Sequence, residues 1–218
     1  MPAVIFDLDG TLVDSAPDIH SGIAALLARE GVAPLSFEAV RGMIGGGVPV
    51  LIDRVARAAG LDLDPARQEE RCDWFTERYE HAPDGMTRAY YGVEDALHRL
   101  RSAGMVLGLC TNKPTGPTLA LLDAFGWRDL FAVTVCGDTL PVRKPDPAPL
   151  RLAIRELAQP ALFVGDSEVD AETAHRADVP LLLFTEGYRK TPLALLPHAA
   201  AFDRWNDLPA LAARLMPV

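Results

Sequence analysis

The apolar positions of this chain change rhythm twice. A short unbroken run, VIF, leads from Val4 into Asp7, the pattern of a strand buried on both faces. From Pro17 the spacing turns helical. PDIHSGIAALLAR stops at Gly31, Ser36 stands as N-cap to FEAVRGMI, and VPVLIDRVARAAG stops at Gly60. Asp64-Pro65 then opens a long charged helix, ARQEERCDWFTERYEH, which leads to a turn at Pro83-Asp84-Gly85. Nothing between Asp18 and Ala82 alternates as a strand does. Beyond Tyr91-Gly92, apolar runs of strand length (VLGLC, AVTVC, ALFVG, VPLLLF) alternate with helical stretches (VEDALHRLRSAG, TLALLDAFG, KPDPAPLRLAIREL, DAETAHRA), and LPALAARLM closes the chain as a helix. Strands alternating with helices predict an α/β fold, a parallel sheet with helices on both faces. The helical block interrupts it, which predicts a core of residues 1–15 and 85–218 and a helical insertion of residues 16–84.

Composition narrows the partners. Of 218 residues, 49% are hydrophobic and 23% charged, the balance of a globular protein with a substantial core. Thirty acidic against 21 basic residues give a formal charge of −9, which disfavours nucleic acid or an anionic membrane as the main partner. A small anionic substrate stays compatible, because one lysine and a metal reverse the field locally. Cys72, Cys110 and Cys136 are odd in number and show no ligand spacing, so free thiols in a reducing compartment are expected. The start lacks a basic leader and no apolar run approaches the ~20 residues that span a bilayer. A cytoplasmic protein is the expectation, as monomer or homodimer.

The chemistry gathers where strands end. Asp7 and Asp9 follow the first strand, two residues apart, so they share one side or diverge as the chain leaves the sheet. Like charges so close need a divalent cation, a lysine or a role in proton transfer. Thr111 and Asn112 follow VLGLC, Lys144 follows AVTVC, and Asp166 ends ALFVG. Each alone reads as a turn former or helix cap. Four together lie at the carboxyl edge of one parallel sheet, where such folds bind ligands.

These residues resemble the motifs of the haloacid dehalogenase superfamily of phosphohydrolases: DLDGT at Asp7–Thr11, then Thr111, Lys144, and GDSEVD at Gly165–Asp170. The resemblance spans nearly the whole chain, and within the superfamily it is greatest to phosphoglycolate phosphatases. It implies a Rossmann-like core with the first strand central and a small α-helical cap inserted after it. It also implies Mg²⁺-dependent hydrolysis of a small phosphorylated metabolite, 2-phosphoglycolate first, with sugar phosphates as the alternative. Asp7 then serves as nucleophile, forming an aspartyl-phosphate. Asp9 is the general acid and base, and Thr111 and Lys144 steady the transferring phosphoryl group. Asp7, Asp166 and the backbone carbonyl of Asp9 are implied as metal ligands, with Asp170 behind them. Asn112 joins Thr111 and Lys144 in contacting substrate.

The acid at Asp9 argues for phosphate over halide, since a leaving halide needs no proton. Phosphomutases of the superfamily usually carry valine where Thr11 stands, together with a cap histidine. His20 lies one position out of that register and reads better as a packing residue. In the insertion, the loop through Gly45–Gly47 is expected to approach the phosphate pocket, with Gly46 where phosphoglycolate phosphatases usually have asparagine. Arg41 is a candidate clamp for a substrate carboxylate, and equally an exposed helical arginine. Lys113 has two readings of similar weight, a substrate contact or a solvated loop lysine. Trp74, Trp127 and Trp205 read as packing residues, and His81, His98, His175 and His198 show no ligand spacing. A relative that binds a metabolite without turning it over would be expected to lose one of the four motifs, and this chain keeps all four.

Overall fold

Strand β1 (Ala3–Phe6) is apolar and buried throughout, and it lies in the middle of the sheet, paired in parallel with β4 (Val106–Cys110) and with β6 (Ala161–Gly165). The computed structural model describes residues 2–81 and 85–216, so the turn expected at 83–85 and the expected end of the insertion at 84 fall largely outside the described residues. Next to β4 runs β5 (Val133–Val135). On the far side of β6 follow β7 (Leu181–Phe184) and then β8 (Ala200–Phe202), all parallel. Alternate residues of the strands enter different cores, as pleating requires. Val4, Phe6, Leu107, Leu109, Leu162 and Val164 pack on one face against α5 (Val93–Ser102), α6 (Thr115–Ala124) and α9 (Leu208–Leu215). Ala3, Ile5, Cys110 and Phe163 face the other way, onto α7 (Ala148–Leu157) and α8 (Glu168–Ala177).

Among the described residues four helices lie between β1 and α5: α1 (Ala16–Arg29), α2 (Phe37–Arg41), α3 (Val48–Ala59) and α4 (Pro65–His81). Their apolar stripes meet one another: Ile23, Leu26, Val40, Ile52, Val55 and Phe75 form a separate cluster, to which the sheet-bearing part adds Tyr188. Gly22 lets α1 approach α4, since a Cβ there would sit 2.9 Å from the Phe75 ring. Ser36 caps α2 as expected, accepting the Ala39 N–H at 3.3 Å, but α2 ends at Arg41 rather than running on to Ile44. Glycines at positive φ, Gly45 and Gly47, turn the chain into α3.

Arg71 is fully buried in this block. Its guanidinium donates to both Glu30 oxygens at 3.2 and 3.1 Å and to the Asp62 carbonyl at 2.8 Å, tying the end of α1 to α4. Glu30 is held below its usual carboxylate range by the Arg71 hydrogen bonds, with Arg67 adding to them. Arg71→Met leaves Glu30 with Arg67 alone and the Asp62 carbonyl without this donor. The expected loss is about 3 kcal/mol, the low end for a broken buried pair because Arg67 remains. An unchanged urea midpoint would refute it.

Two short elements escape a reading by periodicity. Val13–Asp14 (β2) and Arg88–Ala89 (β3) pair antiparallel where the chain leaves and rejoins the sheet-bearing part. The Asp18 carboxylate, buried on α1, reinforces that seam by accepting the N–H groups of Met86 (3.1 Å) and Thr87 (2.8 Å) and the Thr87 hydroxyl (2.5 Å). The edge strand β8 was also not foreseen, because AAF carries little strand preference and borrows its extended form from β7.

Candidate active site

Asp7 is the first residue past β1, its N–H donated to the Val164 carbonyl at 2.9 Å, and it is buried. Leu8, wholly buried, separates it from Asp9, and the two carboxylates diverge so that each meets its own lysine. Lys144 Nζ stands 3.0 Å from Asp7 Oδ1 and 2.7 Å from Asp170 Oδ1. Burial pushes the Asp7 carboxyl up to about 6, and the nearby Lys144 only partly offsets this. Burial works against the Lys144 charge, but Asp170 and Asp7 outweigh it and hold the ammonium well above its usual range. The lysine's backbone is clamped from both sides by Asn112, whose Oδ1 accepts the Lys144 N–H (3.0 Å) and whose Nδ2 donates to the Lys144 carbonyl (2.9 Å).

Asp166 ends β6. Its oxygens accept the Thr11 hydroxyl at 2.7 Å and the Tyr188 N–H at 2.6 Å. The fit around it is close, since a Cβ on Gly187 would fall 2.3 Å from Asp166 Oδ2. Burial, with the charges of Asp170 and Asp7 added, drives its carboxyl well above the ordinary range. Asp170, one helical turn on, closes the α8 capping box: its Oδ2 accepts the Ser167 hydroxyl (2.7 Å) and the N–H groups of Asp166 and Ser167 (3.2 Å each). Asp7, Asp166 and Asp170 each offer an oxygen within 4.8 Å of the others, all buried. Asp7 Oδ1 accepts no directed hydrogen bond, the Lys144 ion pair notwithstanding. Three buried acids against one lysine, with an oxygen left over, fit a hard divalent cation. Asp170 is already committed to Lys144 and to the helix cap, so it stands behind Asp7 and Asp166 in such a site.

Asp9 accepts the Ser15 hydroxyl at 2.6 Å and Lys113 Nζ at 3.0 and 3.2 Å. Lys113 is buried, not a solvated loop lysine. Its ammonium also donates to the Tyr79 hydroxyl of α4 at 3.0 Å and lies 4.1 Å from the centre of that ring. Burial opposes its charge, but Asp9 and Tyr79 prevail and keep it raised. Thr111, buried at the end of β4, accepts the Lys113 N–H at 3.2 Å.

A cleft of about 550 Å³, its open mouth included, lies over these groups. Asp7, Asp9, Thr111, Asn112 and Lys113 form its floor, and its upper wall is apolar, with Ile19, Ile44, Leu51 and Phe75 from the helical block. Gly45 and Gly47 line it too, and the Gly45 carbonyl accepts from Asn112 at 3.1 Å. Arg41 does not line it. The guanidinium turns to the Gly187 carbonyl (2.8 Å) and lies over the Tyr188 ring (5.3 Å), a seam between α2 and the loop that carries Asp166's partner. His20 meets the Leu35 carbonyl (3.0 Å) and the edge of Phe37, as a packing residue does. Trp127 and Trp205 are buried in the sheet's core, and Trp74 lies under Arg29.

Tyr188 and Ser15 were not anticipated. The Tyr188 hydroxyl accepts the Ser15 and Ala16 N–H groups at the start of α1 (2.8 and 2.9 Å) and donates to Asp14. A signal for it existed, for Tyr188 follows the end of β7 at the same sheet edge as the four motif positions. Among the described residues no helix is long and apolar enough to cross a membrane.

Comparison with known proteins agrees with this geometry. The sequence profile of the haloacid dehalogenase-like hydrolases matches residues 1–178. A phosphoglycolate phosphatase of Cereibacter sphaeroides is 50% identical over 217 residues, 99% of this chain and 100% of its own. Among solved structures, a predicted phosphoglycolate phosphatase of Haemophilus somnus 129PT superposes with a TM-score of 0.89 at 32% identity, covering 96% of this chain and 97% of its own. CbbY of Rhodobacter sphaeroides, solved in complex with phosphate, gives 0.78 at 25% identity over 94% and 95% of the two chains. With its acids and lysines at the ends of the parallel strands and a profile match over most of its length, the chain belongs to the haloacid dehalogenase-like hydrolases.

Proposed function

We propose that this hydrolase is a phosphatase of small phosphate monoesters, acting on 2-phosphoglycolate through an aspartyl-phosphate at Asp7. The observation that carries the reading is the division of labour between the two strand-end acids. Asp7 lies deepest, beside Lys144 and the acid cluster, where a nucleophile meets phosphorus. Asp9 stands in the cleft floor with its own lysine, placed to protonate the leaving oxygen and later to take a proton from the attacking water. Lys144 and the Thr111 hydroxyl offset charge as it spreads over the phosphoryl oxygens. Asp7 and Asp166, with the Asp9 carbonyl, would hold Mg²⁺, and Asp170 would fix Lys144 beside it. Bound there, Mg²⁺ would supply positive charge to offset that of the phosphoryl group. The helical block serves as a cap that keeps bulk water and bulky esters from the cleft. Relatives named phosphoglycolate phosphatase, one of them matched end to end at 50% identity, support the substrate.

The test is phosphate release from 2-phosphoglycolate, alongside β-glucose 1-phosphate and a panel of small esters, with Mg²⁺ and with chelator. A preference for 2-phosphoglycolate that chelation abolishes is expected, and metal-independent release would sink the reading. Asp166→Asn is expected to raise the Mg²⁺ concentration for half-maximal activity at least tenfold. An unchanged titration would remove Asp166 from the metal site.

A further inference from the structure

Lys113 is the one cation among the described residues that line the cleft, and its position bears on which leaving groups are accepted. Its ammonium is 3.0 and 3.2 Å from the two oxygens of Asp9. In the reading above, Asp9 also reaches the oxygen that leaves with the alcohol. The leaving oxygen and Lys113 are therefore neighbours across one carboxylate. In a phosphate ester of a 2-hydroxy acid, a single carbon separates that oxygen from the acid's own carboxylate, so the carboxylate falls beside Lys113. Elsewhere the cleft offers an anion little: Asp7 and Asp9 repel it, Ile19, Leu51 and Phe75 exclude water without pairing charge, and Arg41 is engaged at Gly187.

We propose that Lys113, steadied by Tyr79, recognises a carboxylate on the leaving group and so selects phosphate esters of 2-hydroxy acids over those of neutral alcohols. The proposal rests on the phosphatase reading. Tyr79 supplies preorganisation: its hydroxyl takes one N–H of the ammonium at 3.0 Å and its ring closes one side at 4.1 Å, so a flexible side chain is held in one place. A neutral ester leaves this cation with Asp9 and Tyr79 alone, so discrimination comes from the charge pairing that only a carboxylate adds.

The experiment compares kcat/KM for 2-phosphoglycolate and for ethyl phosphate, a neutral-alcohol ester of similar size, at saturating Mg²⁺. Wild type, K113M, K113R and Y79F are measured, each checked for its fold by circular dichroism. Wild type is expected to prefer 2-phosphoglycolate by about 10²-fold or more. K113M slows both esters, since Asp9 loses its partner, and the preference falls to within about tenfold. Y79F and K113R lower the preference several-fold, mainly through KM for 2-phosphoglycolate. A K113M protein that slows both substrates equally and keeps the ratio overturns the proposal, because Lys113 then acts through Asp9 alone. Should K113M fail to fold, an unchanged ratio in both Y79F and K113R overturns it. A wild type that favours ethyl phosphate overturns the selection while the phosphatase reading stands. Hydrolysis of neither ester overturns both.

Discussion

Asp7→Asn is expected to lower kcat on the order of 10⁴-fold or more while making the metal-free protein more stable at neutral pH. The loss follows from the chemistry, because an amide oxygen at this position is a poor nucleophile, and the other carboxylate beside Lys144, Asp170 at 2.7 Å, is held by the α8 cap. The gain follows from linkage. Burial raises the folded Asp7 carboxyl to about 6 against 3.8 in the unfolded chain, so the ionised form costs the folded state free energy. That cost is absent below about pH 3.8, grows between there and about 6, and is full above. Thermal melts in chelator should therefore show the variant a few degrees above wild type at pH 7, with the gap closing as the pH falls toward 4. A variant that keeps full turnover removes Asp7 as the nucleophile. A variant that melts no higher at pH 7 means that Lys144 compensates the charge in full.

Lys144→Met is expected to shift stability the other way. Lys144 stands between Asp7 at 3.0 Å and Asp170 at 2.7 Å, and its side chain is 1% exposed. Without it three buried acids face one another with no cation. Breaking a buried pair costs about 3–5 kcal/mol, or roughly 10 °C in a chain of this length. Turnover should fall by at least about 10²-fold, since the charge of the transferring group loses its nearest protein cation. Added Mg²⁺ should restore part of the melting temperature, because the cluster would still bind it. A variant as stable as wild type in chelator would show that the acids take up protons instead.

The ends of the strands were the most legible part of the chain. VIF, VLGLC and ALFVG are continuous apolar runs broken by Asp7, Thr111 and Asp166, and a rule about sheet edges turns those breaks into a site. Lys113 was undecided because its burial depends on Tyr79, which arrives from a helix more than thirty residues earlier and leaves no local pattern. Arg41 stayed between a substrate clamp and an exposed arginine, since its partner, the backbone carbonyl of Gly187, leaves no pattern in the sequence. Tyr188 was open to the rule and simply lay one strand further along. The ribbon of β2 and β3 was beyond it, for two residues carry no periodicity.

That ribbon has a consequence for how such enzymes diversify. Asp14 and Arg88 are opposite partners in an antiparallel ladder, so the chain departs and returns at a single doorway, and a tight turn is all that separates a version with the helices from one without. The helices take their own apolar cluster with them, borrowing little beyond Tyr188. Lids of other sizes can therefore be spliced in at one point of the sequence without re-registering the sheet, leaving reactivity and selectivity to be inherited separately.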